Sequence, residues 1–190
     1  DMALYSVKGS GKNDYMFFDE VMLEKLNEKI QLENIIRKAL KEKGFKTKLL
    51  MVGDGEMRES LEEQIKNYGL ENEVIITGYI EDVRPYVALM DIFVLSSDSV
   101  ETLSIAAIES LAMKKATVLS DIGGASEIVT DGVNGYRYKP QNFEELAKRL
   151  ESMIEGGKYK EMGEAGYLHA LMYFQRGKMV SEYEKIFEKS

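Results

Sequence analysis

The sequence has 190 residues, 44% of them hydrophobic and 31% charged, which suits a single globular domain with one well-formed core. Its net charge of -8 argues against a nucleic-acid partner, because a phosphate backbone is bound by basic surfaces. Without cysteine it has no disulfide framework and no thiolate metal site. The single histidine, His169, excludes a histidine-based metal cluster and is expected to be an ordinary residue of a C-terminal helix. No apolar run of about 18 residues predicts a membrane span and no signal-peptide pattern occurs, so the cytoplasm is the expected location.

The first part of the chain predicts a lead-in followed by a strand and a helix. Residues 1–14 contain glycine, serine and lysine in a composition typical of a linker. Their segment Lys8-Gly-Ser-Gly-Lys12 lacks the spacing and the preceding strand of a phosphate-binding loop, so we assign it no such role. Residues 15–23 predict a first strand, and residues 27–43 predict an amphipathic helix.

Beyond that point, short apolar runs alternate with stretches of helical periodicity. The runs that predict strands are residues 48–52, 74–77, 91–96 and 116–120. The stretches that predict helices are residues 58–68, 82–90, 143–155, 159–172 and 178–188, together with a helix that follows Glu101. This alternation predicts an α/β fold, a Rossmann-like doubly wound parallel sheet of about six strands flanked by helices.

Two glutamates, Glu101 and Glu109, lie in the stretch 91–127, which contains two of the predicted strands. Ligands of open α/β sheets bind beyond the carboxyl ends of such strands. Glu101 falls in a loop just before a predicted helix that Thr102 is well placed to cap, and backbone N–H groups near residues 103–105 would suit a phosphate. Glu109, two turns further on, would suit the two hydroxyls of a ribose. Alternatively, Glu109 is a solvated helix position and Glu101 is only a favourable charge near the helix N-terminus.

Three motifs then combine: Glu101-x7-Glu109, Gly123-Gly-x-x-Glu127 and Asp131-Gly-x-x-Gly135. Together they resemble the nucleotide-sugar-binding half of GT-B glycosyltransferases, and most of all the retaining family 4, also known as glycosyl transferases group 1. The predicted strand ends agree with that family's pattern, and the resemblance extends over roughly residues 15–142.

The resemblance implies a role for each of these residues. Glu109 would hold the ribose hydroxyls and Glu101 would face the transferred sugar. The backbone of Thr102, Leu103 and Ser104 would meet the phosphate. Tyr79 and Ile80 would pair with the base through their backbone. The remaining residues expected to bind the nucleotide sugar are Gly53, Gly123 and Gly124. A simple strand-to-helix turn remains an equally open interpretation of the two glycines.

Positive charge for the diphosphate would come from Lys25 and Lys29, because bond cleavage leaves negative charge on the nucleoside diphosphate. The family has an Arg-Leu pair and then a lysine after its first strand. Lys29 matches that lysine, but Lys25 matches the arginine only if the loop is one residue shorter, and otherwise Glu24 takes its place. A lysine lacks the guanidinium fork, and Glu24 would repel the diphosphate. Alternatively, both lysines are surface charges of a helix.

A second departure from the family lies in the segment 113–117, Met-Lys-Lys-Ala-Thr, where a glycine and a proline are common. We expect this difference to affect a turn and not the site.

The resemblance also implies that the chain, with one domain at residues 15–190, is the donor half of a larger enzyme. The N-terminal acceptor domain, or a partner subunit, would complete it. The expected donor is a UDP- or GDP-sugar, and no metal or other cofactor is expected. The expected acceptor is a saccharide or a lipid-linked saccharide, in the synthesis of cell-surface polysaccharide or glycolipid. The full-length protein could associate peripherally with the membrane. Alone, the chain should bind the donor weakly and transfer nothing. Alternatives are a non-catalytic nucleotide-binding or interaction module and an epimerase, the latter disfavoured by the glutamate and glycine motifs.

Overall fold

The computed structural model describes residues 5–6, 15–16, 47–97 and 101–187. Its strands are β1 (Tyr5–Ser6), β2 (Tyr15–Met16), β3 (Leu49–Met51), β4 (Val74–Ile76), β5 (Ile92–Leu95), β6 (Ala116–Ser120) and β7 (Gly135–Tyr138). Its helices are α1 (Arg58–Asn67), α2 (Arg84–Leu89), α3 (Ile105–Ala112), α4 (Ala125–Ile128), α5 (Phe143–Glu155), α6 (Tyr159–Tyr173) and α7 (Arg176–Phe187). The predicted helix at residues 27–43 and most of the predicted first strand lie outside the described residues.

The α/β class with parallel strands and flanking helices is confirmed. Strand β3 pairs with β4 in parallel, and β5, β6 and β7 form a parallel sheet with β6 in the centre. Within the described residues these two groups are separate sheets, where one continuous sheet was expected. A third, antiparallel pair joins β1 to β2, so two residues of the predicted linker form a strand. None of the described helices combines the length and apolar content needed to cross a bilayer.

The core lies on both faces of β6, whose five residues are all buried. A continuous run of buried residues is typical of a parallel strand covered on both sides. On one face, Leu119 of β6 packs in a cluster with Val129, which follows α4, and with residues of α3, α4 and α6, namely Ala107, Leu111, Ala125, Ile128 and Ala170. On the other face, Ala116 and Val118 of β6 pack with residues of β7, α5 and α6, namely Tyr138, Leu146, Met153 and Met162.

Helix α6 packs closely against α3 and the turn after it because two of its residues are glycines. A Cβ atom at Gly163 would lie 2.1 Å from the carbonyl oxygen of Lys114, and one at Gly166 would lie 2.6 Å from Cδ2 of Leu111. The sequence assigned this helix a packing role only, without identifying these glycines as its contact face. Close backbone packing fixes α3, which carries the predicted site, relative to the rest of the domain.

Candidate functional site

A pocket opens at the carboxyl ends of β5 and β6, where the sequence places the ligand. Leu95 and Ser120 mark the two strand ends, Ser104 lies at the start of α3, and Glu101 belongs to the loop before it. The complete lining is Leu95, Glu101, Ser104, Leu119, Ser120, Ala125 and Ile128. Two of the predicted site residues, Glu101 and Ser104, therefore meet in one pocket.

The carboxylate of Glu101 is half-buried and is held by a neighbouring hydroxyl. Oγ of Ser97, just beyond the end of β5, donates to Oε2 of Glu101 over 3.3 Å. Among the residues that the structure describes, none is recorded as a hydrogen-bond partner of the other carboxylate oxygen. Ser97 was not among the predicted site residues, although its position four residues before Glu101, across a strand-to-helix loop, was a usable signal.

The start of α3 differs from the prediction in its capping residue. Ser104 is the N-cap, and its Oγ accepts from the N–H of Ala107 over 3.2 Å. The prediction that Thr102 caps the helix is wrong, because the helix begins at Ile105 and Thr102 is two residues too early. The N–H groups of Ile105 and Ala106 have no acceptor within the helix, and both residues are exposed. The helix therefore presents an open, partly positive N-terminus beside Glu101.

Glu109 is exposed on α3, on a different face from the residues that the helix buries, Ala107, Ser110 and Leu111. It lies near the start of α2. The pKa of Arg84 is raised chiefly by its hydrogen bond with Asp82, and the charge of Glu109 adds a smaller electrostatic effect in the same direction. The structure thus places Glu109 on the open surface between α2 and α3, and outside the residues that line the pocket.

The Gly123–Gly124 turn lies against the loop that carries Glu101. The N–H of Gly124 donates to the carbonyl oxygen of Thr102 over 2.5 Å. Gly123 has φ +53, and a Cβ atom there would lie only 1.7 Å from the carbonyl oxygen of Glu101. The turn is therefore both a strand-to-helix connection and a close backbone contact, and neither glycine can be replaced without moving the loop.

The loops after β3 and β4 are joined at their second residues. Gly53 and Gly78 form a bridge, and the N–H of Gly53 donates to Oγ1 of Thr77 over 3.3 Å. Both glycines have positive φ, +137 and +75 respectively. Tyr79 follows with 80% of its surface exposed, and Ile80 is half-buried. Gly53, Tyr79 and Ile80 therefore share the carboxyl edge of the β3–β4 pair.

The predicted cations Lys25 and Lys29 lie outside the described residues, as does Glu24. Within the part of the chain that the structure describes, no group of three histidine, cysteine, aspartate or glutamate residues could hold a metal ion.

Two further residues hold the site in place, and sequence reasoning missed what both of them do. Asn134 is 1% exposed; its Nδ2 donates to the carbonyl oxygen of Ile128 over 3.0 Å, and its Oδ1 accepts from the N–H of Thr130 over 2.8 Å. His169, expected to be an ordinary helix residue, has Nε2 2.9 Å from the carbonyl oxygen of Glu127. Asparagine between two turn glycines was a local signal, but nothing near His169 in sequence indicates a contact 42 residues away.

Parallel strands flanked by helices, with a pocket at their carboxyl ends, define a Rossmann-like domain, and its likeness to solved GT-B glycosyltransferases makes it one half of a GT-B fold. The chain belongs to the family described as glycosyl transferases group 1, whose family model matches residues 19–169.

Relatives and solved structures agree with this assignment. An uncharacterised glycosyltransferase of Methanocaldococcus jannaschii, MJ1069, is 33% identical over 192 residues, which cover 90% of this chain and 48% of the relative. The lipopolysaccharide core biosynthesis glycosyltransferase LpsE of Rhizobium meliloti is 29% identical over 136 residues, 71% of this chain and 40% of the relative. The fold matches the crystal structure of Anabaena Alr3699/HepE in complex with UDP, with a TM-score of 0.74, 22% identity and coverage of 91% of this chain and 54% of that one. The chain thus spans about half the length of the proteins it resembles.

Proposed function

We propose that this chain is the donor-binding half of a retaining glycosyltransferase that transfers a sugar from a nucleoside-diphosphate sugar to a saccharide or lipid-linked acceptor. The observation that carries the proposal is the position of Glu101, a half-buried carboxylate held by Ser97 in a pocket beside an open helix N-terminus. A sugar and a phosphate are the two groups that such a pair of neighbours would recognise together.

The diphosphate would lie at the start of α3. The N–H groups of Ile105 and Ala106 point out of the helix, and the helix dipole favours negative charge there. The leaving nucleoside diphosphate gains negative charge as the sugar bond breaks, so these N–H groups stabilise the transition state. Lys25 and Lys29 would add the remaining positive charge, which makes a metal ion unnecessary.

The nucleoside would extend away from the pocket along the surface between α2 and α3. Glu109 would accept hydrogen bonds from both ribose hydroxyls. The base would reach the carboxyl edge of the β3–β4 pair, near Gly53, Tyr79 and Ile80. The exposure of Glu109 and Tyr79 supports this assignment, because a ligand can reach both without a change in the core.

Glu101 would face the transferred sugar. Its free carboxylate oxygen would accept from sugar hydroxyls, while the hydrogen bond from Ser97 fixes the carboxylate orientation. The Gly123–Gly124 turn would border the same sugar. We infer UDP as the first nucleotide to test, because the Anabaena protein of the same fold was crystallised with UDP and with UDP-glucose.

The acceptor would bind to a second half of similar size, and the reaction would occur in the cleft between the halves. The chain spans about half of its relatives, so transfer would require that second half. The name of the Rhizobium relative, a lipopolysaccharide core biosynthesis glycosyltransferase, supports a role in surface polysaccharide or glycolipid synthesis. We propose the cytoplasm or the inner face of the membrane as the place of this reaction.

Calorimetric titration of the chain with UDP, GDP and ADP tests the proposal. We expect saturable binding of one nucleotide, weakened at least about tenfold by Glu109→Gln, since that change removes a charged hydrogen-bond acceptor. Glu161→Gln, at an exposed glutamate of α6, makes the same charge change away from the site and should leave the affinity unchanged.

A second function, a non-catalytic nucleotide-binding or interaction module, is favoured by the alignment in which Glu24, and not Lys25, takes the place of the family's arginine. The two are separated by assaying the complete two-domain protein for sugar transfer. Transfer that is lost with Glu109→Gln supports the enzyme, and undiminished transfer by that variant refutes the site assignment. A complete protein that binds the nucleotide and transfers nothing supports the module.

A further inference from the structure

Helix α4 has only four residues, Ala125–Ile128, and groups from outside the helix hold both of its ends. A helix of one turn leaves nearly all its backbone groups without internal partners, so its position depends on contacts from other elements. At its C-terminal end the carbonyl oxygen of Ile128 accepts from Asn134, and that of Glu127 lies 2.9 Å from Nε2 of His169. Side chains from two later elements therefore hold this end.

The histidine reaches across from α6. Because a carbonyl oxygen can only accept, Nε2 of His169 carries the hydrogen in this contact. The ring is steadied by two aromatic neighbours, with centroids 4.7 Å away in Tyr173 and 5.7 Å away in Phe174. Since α6 is fixed against α3 by Gly163 and Gly166, the histidine connects α4 to a rigid support.

The N-terminal end of α4 contacts the loop that carries Glu101, so the position of α4 affects the position of that loop. Gly124, the residue before the helix, donates to the carbonyl oxygen of Thr102, and Gly123 allows no side chain between the turn and Glu101. A shift of α4 would therefore either break the bond to Thr102 or displace the loop of Glu101. Because the contacts are between backbones, that displacement cannot be absorbed by a rotating side chain.

We propose that His169 is a positioning residue, which acts through α4 and the Gly123–Gly124 turn to hold the loop of Glu101 in place for the nucleotide sugar. It is not one of the residues that line the pocket, and its hydrogen-bond partner, Glu127, is not a residue assigned to the donor. The part that concerns the nucleotide sugar rests on the function proposed above, whereas the linkage between His169 and the loop does not.

Two variants of the full chain separate the hydrogen bond from the packing of the ring. His169→Phe keeps an aromatic ring beside Tyr173 and Phe174 but cannot donate, whereas His169→Gln keeps a donor near the position of Nε2 but loses the ring. Hydrogen exchange measured by mass spectrometry over residues 101–107 and 122–129 reports on the loop and the turn without any nucleotide. Titration with UDP then reports on the site.

We expect His169→Phe to raise exchange in both segments roughly fivefold and to weaken UDP binding by a similar factor, the effect of one lost hydrogen bond. His169→Gln should remain close to the parent chain in both measurements. Unchanged exchange in His169→Phe, or equal effects of the two variants, would overturn the positioning role.

The two measurements can refute the positioning role and the proposed function independently of each other. Faster exchange with unaltered UDP affinity would overturn the connection to the donor and leave the proposed function intact. A parent chain that binds none of UDP, GDP and ADP would count against the proposed function, while the exchange data would still decide whether His169 holds the loop.

Discussion

The two groups of parallel strands differ in how completely they are packed. In the β5–β7 sheet the central strand is entirely buried, whereas in the β3–β4 pair no residue of either strand is buried and Ile75 is 51% exposed. Helix α3 buries three of its eight residues, while none of the ten residues of α1 is buried. The sugar and phosphate side of the proposed site is thus built on a close-packed frame and the base side on a looser one.

This difference predicts that one added methyl group lowers stability much more in the close-packed region than in the loosely packed one. A Cβ atom at Gly135 would lie 1.9 Å from the carbonyl oxygen of Thr117, whereas one at Gly55 would meet nothing within 4 Å. We expect Gly135→Ala to lower the free energy of unfolding by about 3 kcal/mol or more, and Gly55→Ala to change it by less than about 0.5 kcal/mol. Urea denaturation measures both, and similar effects of the two variants would contradict the comparison.

The close-packed sheet should also lose stability at high pH. Burial of Tyr138 raises its pKa to about 12, from an ordinary value of 10.0. As the pH rises, the unfolded chain therefore loses this proton before the folded chain does. The contribution of the protonated Tyr138 to the free energy of unfolding is complete below pH 10 and is lost as the pH rises towards 12. The loss is at most about 3 kcal/mol for a shift of this size.

Denaturant midpoints between pH 8 and pH 12 measure this loss. Tyr138→Phe removes the ionisable group and keeps the ring, so its midpoint should fall less steeply over the same range. Parallel curves for the two proteins would show that Tyr138 is not responsible.

The start of α3 has a side-chain cap and that of α1 has none. Oγ of Ser104 accepts from the N–H of Ala107, whereas Met57 makes no capping hydrogen bond. Ser104→Ala should therefore cost about 1 kcal/mol of stability. Thr102→Ala, at the residue that the sequence predicted as the cap, should change stability by less than about 0.5 kcal/mol. Thermal unfolding of the two variants tests the assignment, and a larger loss for Thr102→Ala would reverse it.

The ends of the same two helices provide the smallest expected effect. After α1 the chain turns at Gly69 with φ +62, and after α3 it turns at Lys114 with φ +60. The left-handed region favours glycine, so Lys114→Gly should raise the melting temperature by about 2 °C and Gly69→Ala should lower it by a similar amount. Because Lys114 also pairs with Glu164 over 2.9 Å, Glu164→Gln serves as the control for the lost ion pair. A fall in melting temperature with Lys114→Gly beyond that of the control would contradict the backbone argument.

Much of the fold was predictable because local patterns determine it. The apolar runs at residues 91–96 and 116–120 correspond to β5 and β6, although only β6 is fully buried, and the three predicted C-terminal helices correspond to α5, α6 and α7 within a few residues at each end. The departure from the family after α3 was correctly assigned to a turn, where the structure shows Lys114 in a conformation that glycine prefers.

The errors have a common physical cause. Thr102 and Ser104 are both good capping residues, and only the packing of α3 on β6 decides which one lies at the first turn. The strand at Tyr5–Ser6 was not predicted, because strand pairing depends on a partner segment, Tyr15–Met16, and not on local composition.

By itself the sequence determined the α/β class, the family motifs and the neighbourhood of Glu101, because hydrophobic periodicity and turn residues act over a few positions. The tertiary structure decided which contacts hold that neighbourhood: Ser97 on Glu101, the backbone of Gly124 on Thr102 and His169 on Glu127. Each of the last two joins segments more than twenty residues apart. Such contacts depend on how the layers of the fold pack together. The local sequence around one partner contains no signal that identifies the other.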